Sequence, residues 1–100
     1  MTNQKYILDE NHNLVPVELL VWAEWFENRE NRQVAIDEIN GTRVSTVFMG
    51  IDHNFSDEGG PLLFETMTFG SGEEIQERYH TWDEALAGHK KILTTLEAKK

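Results

Sequence analysis

The dipeptide Asn40-Gly41 constrains the fold of this chain more than any other feature of its sequence. It separates two segments rich in β-branched residues, 33–39 and 42–51, and Asn-Gly is the preferred pair for a two-residue type I′ turn between antiparallel strands. Such a turn sets the register of the hairpin. It predicts three cross-strand pairs: Glu38 with Arg43, Ile36 with Ser45, and Val34 with Val47.

Alternation along this hairpin predicts which of its sides faces the core. The more apolar side is expected to be buried and consists of Val34, Ile36, Val47, Met49 and Ile51. A third strand is predicted over 62–69, with Leu63, Met67 and Phe69 on the same face as Glu65. Ile75, Glu77 and Tyr79 alternate with polar residues, which predicts a fourth strand.

Two segments have the periodicity of amphipathic helices. Between Val17 and Asn28, one predicted face carries Leu19, Trp22, Ala23 and Phe26. Thr81 and Glu84 have the spacing of a capping box, and they open a second helix. The apolar stripe of that helix is Ala85, Leu86, His89, Ile92, Leu93 and Leu96. Gly88 within it suggests that another backbone packs closely there.

These elements assemble into one domain spanning residues 1–100. A short hairpin over 5–15 precedes the first helix, and the strand meander precedes the second. The predicted class is α+β: an antiparallel sheet of three to five strands with two amphipathic helices packed on one face.

Charge and composition narrow the classes of function. The chain has a formal net charge of −9 and no cysteine, which excludes disulfides and thiolate chemistry. An acidic surface repels phosphate backbones and anionic lipid, so we expect no direct nucleic-acid or membrane binding. No apolar run is long enough to span a bilayer, and residues 1–5 do not resemble a signal peptide. We therefore expect a cytoplasmic protein whose acids keep it in solution or attract a basic partner.

Three stretches resemble one family of small proteins encoded by phages and prophages. They are 44–55 (VSTVFMGIDHNF), 61–70 (PLLFETMTFG) and 78–89 (RYHTWDEALAGH), and the opening of the chain is similar too. The resemblance covers most of the chain. It implies a phage-associated setting, in which small accessory proteins commonly bind host proteins, and it brings no reaction, ligand, cofactor or catalytic residue.

One cluster of residues has a composition suited to metal or acid–base chemistry. Asp52 and His53 lie at a predicted strand end, followed by Asp57 and Glu58 in a loop. These residue types bind divalent ions or transfer protons. No His-x3-His or similar ligand spacing accompanies them, so a metal-dependent enzyme is a minor alternative and solvated loop acids are the plainer interpretation.

A second alternative is a pocket for a small ligand. His53, Glu65 and His89 would line it, and Arg43 or Arg78 would balance an anionic ligand. In the competing structural interpretation, Glu65 is a paired carboxylate, with Arg43 or His89 as partner, and His89 is a core histidine.

The leading hypothesis is a non-enzymatic protein that binds, and by doing so inhibits, a host protein, with host defence as one target. Trp25 points away from the main stripe of the first helix, next to Glu24 and Glu27, and tryptophan is enriched at interface hot spots. Trp25 would alternatively belong to a wider buried face. A homodimer through the first helix or an edge strand is a further alternative that the sequence leaves open.

Overall fold

The computed structural model describes residues 4–52, 60–70 and 74–98 of the chain, and it confirms the α+β class. In chain order the elements are β1 (Lys5–Leu8), β2 (Leu14–Val17), α1 (Leu19–Glu27), α2 (Arg29–Arg32), β3 (Gln33–Ile39), β4 (Thr42–Phe48), β5 (Phe64–Gly70), β6 (Gln76–Tyr79) and α3 (Trp82–Glu97).

The strands form two antiparallel sheets. β1 and β2 pair as a separate hairpin, and the other four form a meander in the order β3-β4-β5-β6. The two long helices pack differently: α3 lies across all four strands of the larger sheet, whereas α1 packs against β1. We call the side of the larger sheet under α3 the covered face and the other side the open face.

The turn at Asn40-Gly41 forms as predicted, with both residues at positive φ (52° and 81°). The pairs Glu38–Arg43 and Ile36–Ser45 are confirmed. The predicted pairing of Val34 with Val47 is wrong, because a β-bulge between Gln33 and Ala35 shifts the register and pairs Gln33 with Val47. An extra residue in one strand is the defining feature of a bulge, and nothing in the turn itself indicates it.

The prediction of the hairpin's buried side is also wrong. The covered face carries Val44, Thr46 and Phe48, each fully buried, whereas Ile36 is 48% and Ile51 39% exposed. The other residues predicted for the core side, Val34, Val47 and Met49, are half-buried. Threonine is β-branched and fits a strand, and it can be buried once its hydroxyl is hydrogen-bonded.

The same inversion occurs in β5. Phe64 and Thr66 are fully buried against α3, whereas Met67 and Phe69 lie on the open face, 36% and 44% exposed. Glu65 shares the open face with Met67 and Phe69, as the alternation predicts. Leu63, predicted to share that face, is fully buried just before the strand begins.

The predicted face of α1 is divided: Leu19, at 59%, and Ala23 are exposed, whereas Trp22 and Phe26 are half-buried. The half-buried side is formed by Trp22, Trp25 and Phe26, and the ring of Trp25 meets that of Phe48 edge-on at 5.6 Å between centroids. Trp25 therefore packs against the core, as the wider-face interpretation holds.

Gly50 connects the small hairpin to the end of β4. The backbone N–H of Tyr6 donates to the Gly50 carbonyl at 3.0 Å. Gly50 has a φ of 72°, and the indole of Trp22 occupies the space that a Cβ at position 50 would need. Only glycine meets both requirements without strain.

Thr81 caps α3 as predicted, whereas Glu84 reaches back to His80, one residue before the cap, rather than to Thr81. The Glu84 N–H donates to the Thr81 hydroxyl at 3.1 Å, and the Glu84 carboxylate accepts from the His80 N–H at 3.3 Å. Within the helix, Ala85, His89, Ile92 and Leu96 are buried.

Gly88 packs against a side chain rather than a backbone. The ring of Tyr79 lies where a Cβ at position 88 would be. Burial raises the pKa of Tyr79 above its usual value of 10.0, because the phenolate is harder to desolvate than the phenol. The buried Tyr79 hydroxyl forms no hydrogen bond of normal geometry among the described residues, and the nearby Thr66 side chain offsets only part of the rise in pKa.

The turn between β1 and β2 is organised by Asp9. Its carboxylate accepts from the N–H groups of Asn13 and Asn11 at 2.9 and 2.8 Å. These hydrogen bonds, first that of Asn13, lower the pKa of Asp9. His12, at a φ of 64°, stacks on Trp82 at 3.6 Å between ring centroids and so joins this turn to the start of α3.

Within the described ranges, none of the helices combines the length and apolarity that crossing a bilayer requires.

Candidate functional site

A cleft opens where the open face meets the corner between α1 and α2. We call it the arginine cleft, and its volume is about 460 Å³. Its lining residues are Phe26, Arg29, Arg32, Gln33, Ile36, Arg43, Ser45, Val47, Phe48, Met49 and Phe69. Three of the chain's four arginines are among them, and no carboxylate is.

Two of these arginines lie over aromatic rings. The guanidinium carbon of Arg32 is 4.5 Å from the centroid of the Phe26 ring, and that of Arg43 is 5.2 Å from the Phe69 centroid. Both distances fall within the range of cation–π attraction. The rings restrict the side-chain rotamers of the arginines, so part of the entropic cost of ordering them is already met in the free protein.

The arginines of the cleft keep their charges available for a ligand. In the part of the chain that the structure describes, Arg29, Arg32 and Arg43 form no ion pair with a carboxylate. The Nε of Arg32 is buried and has no hydrogen-bond partner there. A buried donor without an acceptor costs free energy in the free protein.

Local sequence explains why these groups meet. α1 and α2 are separated only by Asn28, whose side chain accepts from the Glu30 N–H at 3.0 Å and starts α2. This corner turns the chain from α1 to the start of β3 and brings Arg29 and Arg32 beside the sheet. Arg43 and Phe69 are cross-strand partners in β4 and β5, so their side chains lie on the same face.

Beyond the cleft, Glu65 is paired on the open face. Its carboxylate accepts from Arg78 Nε at 3.0 Å and from the Gln76 amide at 2.7 Å. Glu65 and Arg78 are also cross-strand partners. The paired-carboxylate interpretation of Glu65 therefore holds, with Arg78 rather than Arg43 or His89 as the partner.

A polar chain of side chains crosses the covered face. His89 Nδ1 lies 2.7 Å from the Thr46 hydroxyl, and His89 Nε2 lies 2.8 Å from the Asp37 carboxylate. The Thr46 hydroxyl also contacts that of Thr66. All four groups are satisfied when Nε2–H donates to Asp37 and Nδ1 accepts from Thr46.

This arrangement has the order of groups of a hydroxyl–histidine–carboxylate triad but cannot work as one. Thr46 and Thr66 are fully buried and His89 is 2% exposed. A nucleophile must reach its substrate, so the network stabilises the packing of α3 on the sheet instead. His89 is thus a satisfied core histidine.

The predicted ligand pocket of His53, Glu65, His89 and Arg43 is only partly testable, because His53 lies outside the described residues. The structure does not bring Glu65 and His89 together, since Glu65 is on the open face and His89 packs on the covered face. Arg43 lies in the arginine cleft, on the same side of the sheet as Glu65.

The predicted metal or acid–base cluster also falls largely outside the described residues, which omit His53, Asp57 and Glu58. Asp52 is described, and its carboxylate accepts from the Leu62 N–H at 3.0 Å, joining the two ends of the β4–β5 connection. Across 4–52, 60–70 and 74–98, no group of three or more His, Asp or Glu side chains could hold a metal ion.

The three residues of the predicted contact surface, Trp25, Glu24 and Glu27, do not form one exposed surface. Trp25 is half-buried against Phe48, whereas Glu24 and Glu27 are exposed on α1. The large exposed apolar residues of that helix are Leu19, Leu20 and Val21, at 59%, 81% and 48%.

Sequence reasoning missed Arg29, Arg32, Phe26 and Phe69 as residues of one site. Arg29 and Arg32 lie between the predicted end of the first helix at Asn28 and the strand predicted over 33–39, where the sequence indicates only a connection. A signal did exist: three of the four arginines of an acidic chain fall within 29–43. Their convergence with Phe69 depends on the β4–β5 pairing, which short-range patterns do not reveal.

A scan against protein-family models, a search of curated proteins and a search of solved structures each found no match for this chain.

Proposed function

We propose that this protein is a non-enzymatic binding protein that contacts another protein through the exposed side of α1. The observation that carries the proposal is the exposure of three consecutive large apolar residues there: Leu20 is 81%, Leu19 59% and Val21 48% exposed. Contiguous exposed apolar residues rimmed by polar ones are characteristic of interaction sites.

The exposed side of α1 contributes little to the fold of the monomer. No residue of this nine-residue helix is fully buried, and a helix of that length is marginal in isolation. A partner that covers Leu19 and Leu20 would remove apolar surface from water at about 25 cal/mol per Å². The free energy gained would be used in association rather than in folding.

Charge indicates what kind of partner fits. Glu18, Glu24 and Glu27 are exposed around the apolar residues, and a basic surface would complement them. A second copy of this chain fits poorly, because a two-fold interface through α1 would bring these glutamates close to their own symmetry mates.

The resemblance to phage-encoded proteins supports a host protein as this partner, in the cytoplasm of the host cell. Basic surfaces are typical of proteins that act on nucleic acids. An acidic protein that covers such a surface would inhibit its owner, and a host-defence enzyme of this kind is the most concrete form of the proposal.

A matched pair of variants tests the surface. Leu20→Ser removes an exposed apolar side chain from α1, and Met67→Ser removes one from the open face. We expect wild type and Met67→Ser to capture the same stoichiometric partner from host lysate, eluting at raised salt. Leu20→Ser should bind that partner at least about tenfold more weakly, since apolar interface residues contribute about 1–2 kcal/mol or more.

Analytical ultracentrifugation of the isolated protein tests the alternative that the α1 surface binds a second copy of the chain. A concentration-dependent dimer that Leu20→Ser dissociates would assign the surface to a second copy. Equal capture by all three proteins would remove α1 as the contact surface. Both substitutions are at exposed positions, so unfolding midpoints should remain close to that of wild type.

A further inference from the structure

The arginine cleft is a second, separate feature of the molecule that the α1 surface does not explain. We infer that it binds a small ligand carrying an oxyanion group, either phosphate or carboxylate, attached to a planar apolar body. The argument uses the charge of the lining, the positions of its guanidinium groups and the size of the cleft. It does not rest on α1 as a protein contact.

The charge of the lining is opposite to that of the chain. Arg29, Arg32 and Arg43 line the cleft together with no acidic residue. The full chain has 18 acidic residues against nine Lys and Arg, so the remainder is more acidic still once these three are set aside. A local positive site in an acidic molecule attracts a small anion, whereas a long polyanion would also meet the acidic surroundings.

The same charge argues against a second copy in the cleft. A two-fold contact centred on the cleft would place its arginine groups against their own symmetry mates, and the lining itself holds no carboxylate to balance them. A small anion instead neutralises the cleft without any such repulsion.

The guanidinium groups are prepared for an oxyanion. The guanidinium carbons of Arg32 and Arg43 lie 4.5 and 5.2 Å from the ring centroids of Phe26 and Phe69, and these contacts limit where the guanidinium groups can lie. The N–H donors of a guanidinium lie in its plane, where a phosphate or carboxylate accepts two parallel hydrogen bonds.

The rest of the lining suits an apolar body. Ile36 and Phe69 are 48% and 44% exposed at the cleft, and Val47 and Met49 are half-buried there. The volume of about 460 Å³ lies in the range of roughly 300–1,000 Å³ typical of small-molecule sites. Planar rings stack readily on guanidinium groups and on phenylalanine.

Amide NMR titrations with two matched pairs of probes test the inference. One pair is guanosine 5′-monophosphate and guanosine, and the other is 2-naphthoate and 2-naphthamide. We expect at least one anionic probe to shift amide resonances of cleft residues and its neutral counterpart to bind about tenfold more weakly or not at all. The pair that responds identifies phosphate or carboxylate as the recognised group.

Charge-matched variants locate the binding. Arg43→Gln should weaken the responding anion by about tenfold, the effect of losing one charge-assisted contact. Lys91→Gln, which makes the same change in net charge on the exposed side of α3, should change affinity less than about twofold. Arg32→Gln is a second cleft variant should Arg43→Gln perturb the hairpin, and the amide spectrum reports that directly.

Three outcomes would overturn the inference. They are no response to either anion at millimolar concentration, equal binding of an anion and its neutral counterpart, or an equal loss of affinity in Lys91→Gln and Arg43→Gln. Failure here leaves the α1 proposal intact, because Leu20→Ser alters neither the cleft nor its ligands.

Discussion

The two faces of the four-stranded sheet differ in a way that reverses the usual expectation. The covered face buries four threonines, Thr42, Thr46, Thr66 and Thr68, together with His89. The open face exposes Ile36, Met67 and Phe69. Polar groups can be buried when their hydrogen bonds are made, and apolar groups left in water add little to the stability of the fold. We therefore expect substitutions on the covered face to change stability more than substitutions on the open face, where we propose that a ligand binds.

The largest effect should come from comparing phenylalanines on opposite faces of β5. Phe64→Ala empties a fully buried site and should lower the free energy of unfolding by about 3–5 kcal/mol. Phe69→Ala, at a 44% exposed site, should lower it by less than about 1 kcal/mol. Urea denaturation of both variants measures the difference, and similar losses would mean that the open face is part of the core.

The polar chain on the covered face is tested by His89→Ala. It removes the hydrogen bonds to Thr46 and Asp37 and leaves a cavity, so we expect a loss of about 2–4 kcal/mol. Asp37→Asn is the control, because the amide oxygen still accepts from His89 and the Asp37 side chain is 53% exposed. A loss below 1 kcal/mol in His89→Ala would show that the buried network does not stabilise this face.

Gly88→Ala tests how tightly α3 packs on the covered face. Alanine favours a helix over glycine by up to about 1 kcal/mol, but the new methyl would collide with the Tyr79 ring. We expect a net loss of about 1–3 kcal/mol, as for other overpacked sites. Tyr79→Leu in the same chain should relieve part of this loss, and a Gly88→Ala protein more stable than wild type would contradict the close contact.

Tyr79→Phe should have the smallest effect and the opposite sign. It removes a buried hydroxyl that forms no hydrogen bond of normal geometry among the described residues, so we expect a gain of up to about 1 kcal/mol at pH 7. The raised pKa of Tyr79 means that above pH 10 the unfolded chain loses this proton before the folded protein does. Wild type should therefore lose stability as pH rises through 10, and Tyr79→Phe should lose less.

Denaturation of both proteins between pH 8 and roughly pH 11 measures this difference. The gap in stability between them should widen with pH. Parallel curves would mean that the environment of Tyr79 does not oppose ionisation.

Local chemistry was predictable from the sequence, and the assignment of faces was not. Asn40-Gly41 and Thr81 with Glu84 form the turn and cap that their spacing predicts, since both depend on neighbouring backbone. The buried side of β4 was predicted wrongly because apolarity favours Val47 over Thr46. What decides the burial of Thr46 is its contact with His89, 43 residues away. The bulge between Gln33 and Ala35 likewise lies beyond what the turn specifies.

The two candidate sites also differ in how far the sequence predicts them. The composition of α1 indicates more large apolar residues than one buried face needs. The most exposed of them is Leu20 rather than Trp25. The arginine cleft depends on two neighbouring strands and a helix corner meeting, and such tertiary placement has no short-range signature.

The contact of Gly50 with Tyr6 and Trp22 predicts the order in which parts of the chain fold. Strands β3 to β6 are each paired with a neighbour in sequence, so their loops close at low entropic cost and the meander can nucleate early. Tyr6 and Trp22 meet Gly50 only across a long stretch of chain. The amino-terminal hairpin and α1 should thus dock last, and pulse-labelling hydrogen exchange during refolding should find the Tyr6 amide protected after those of β4.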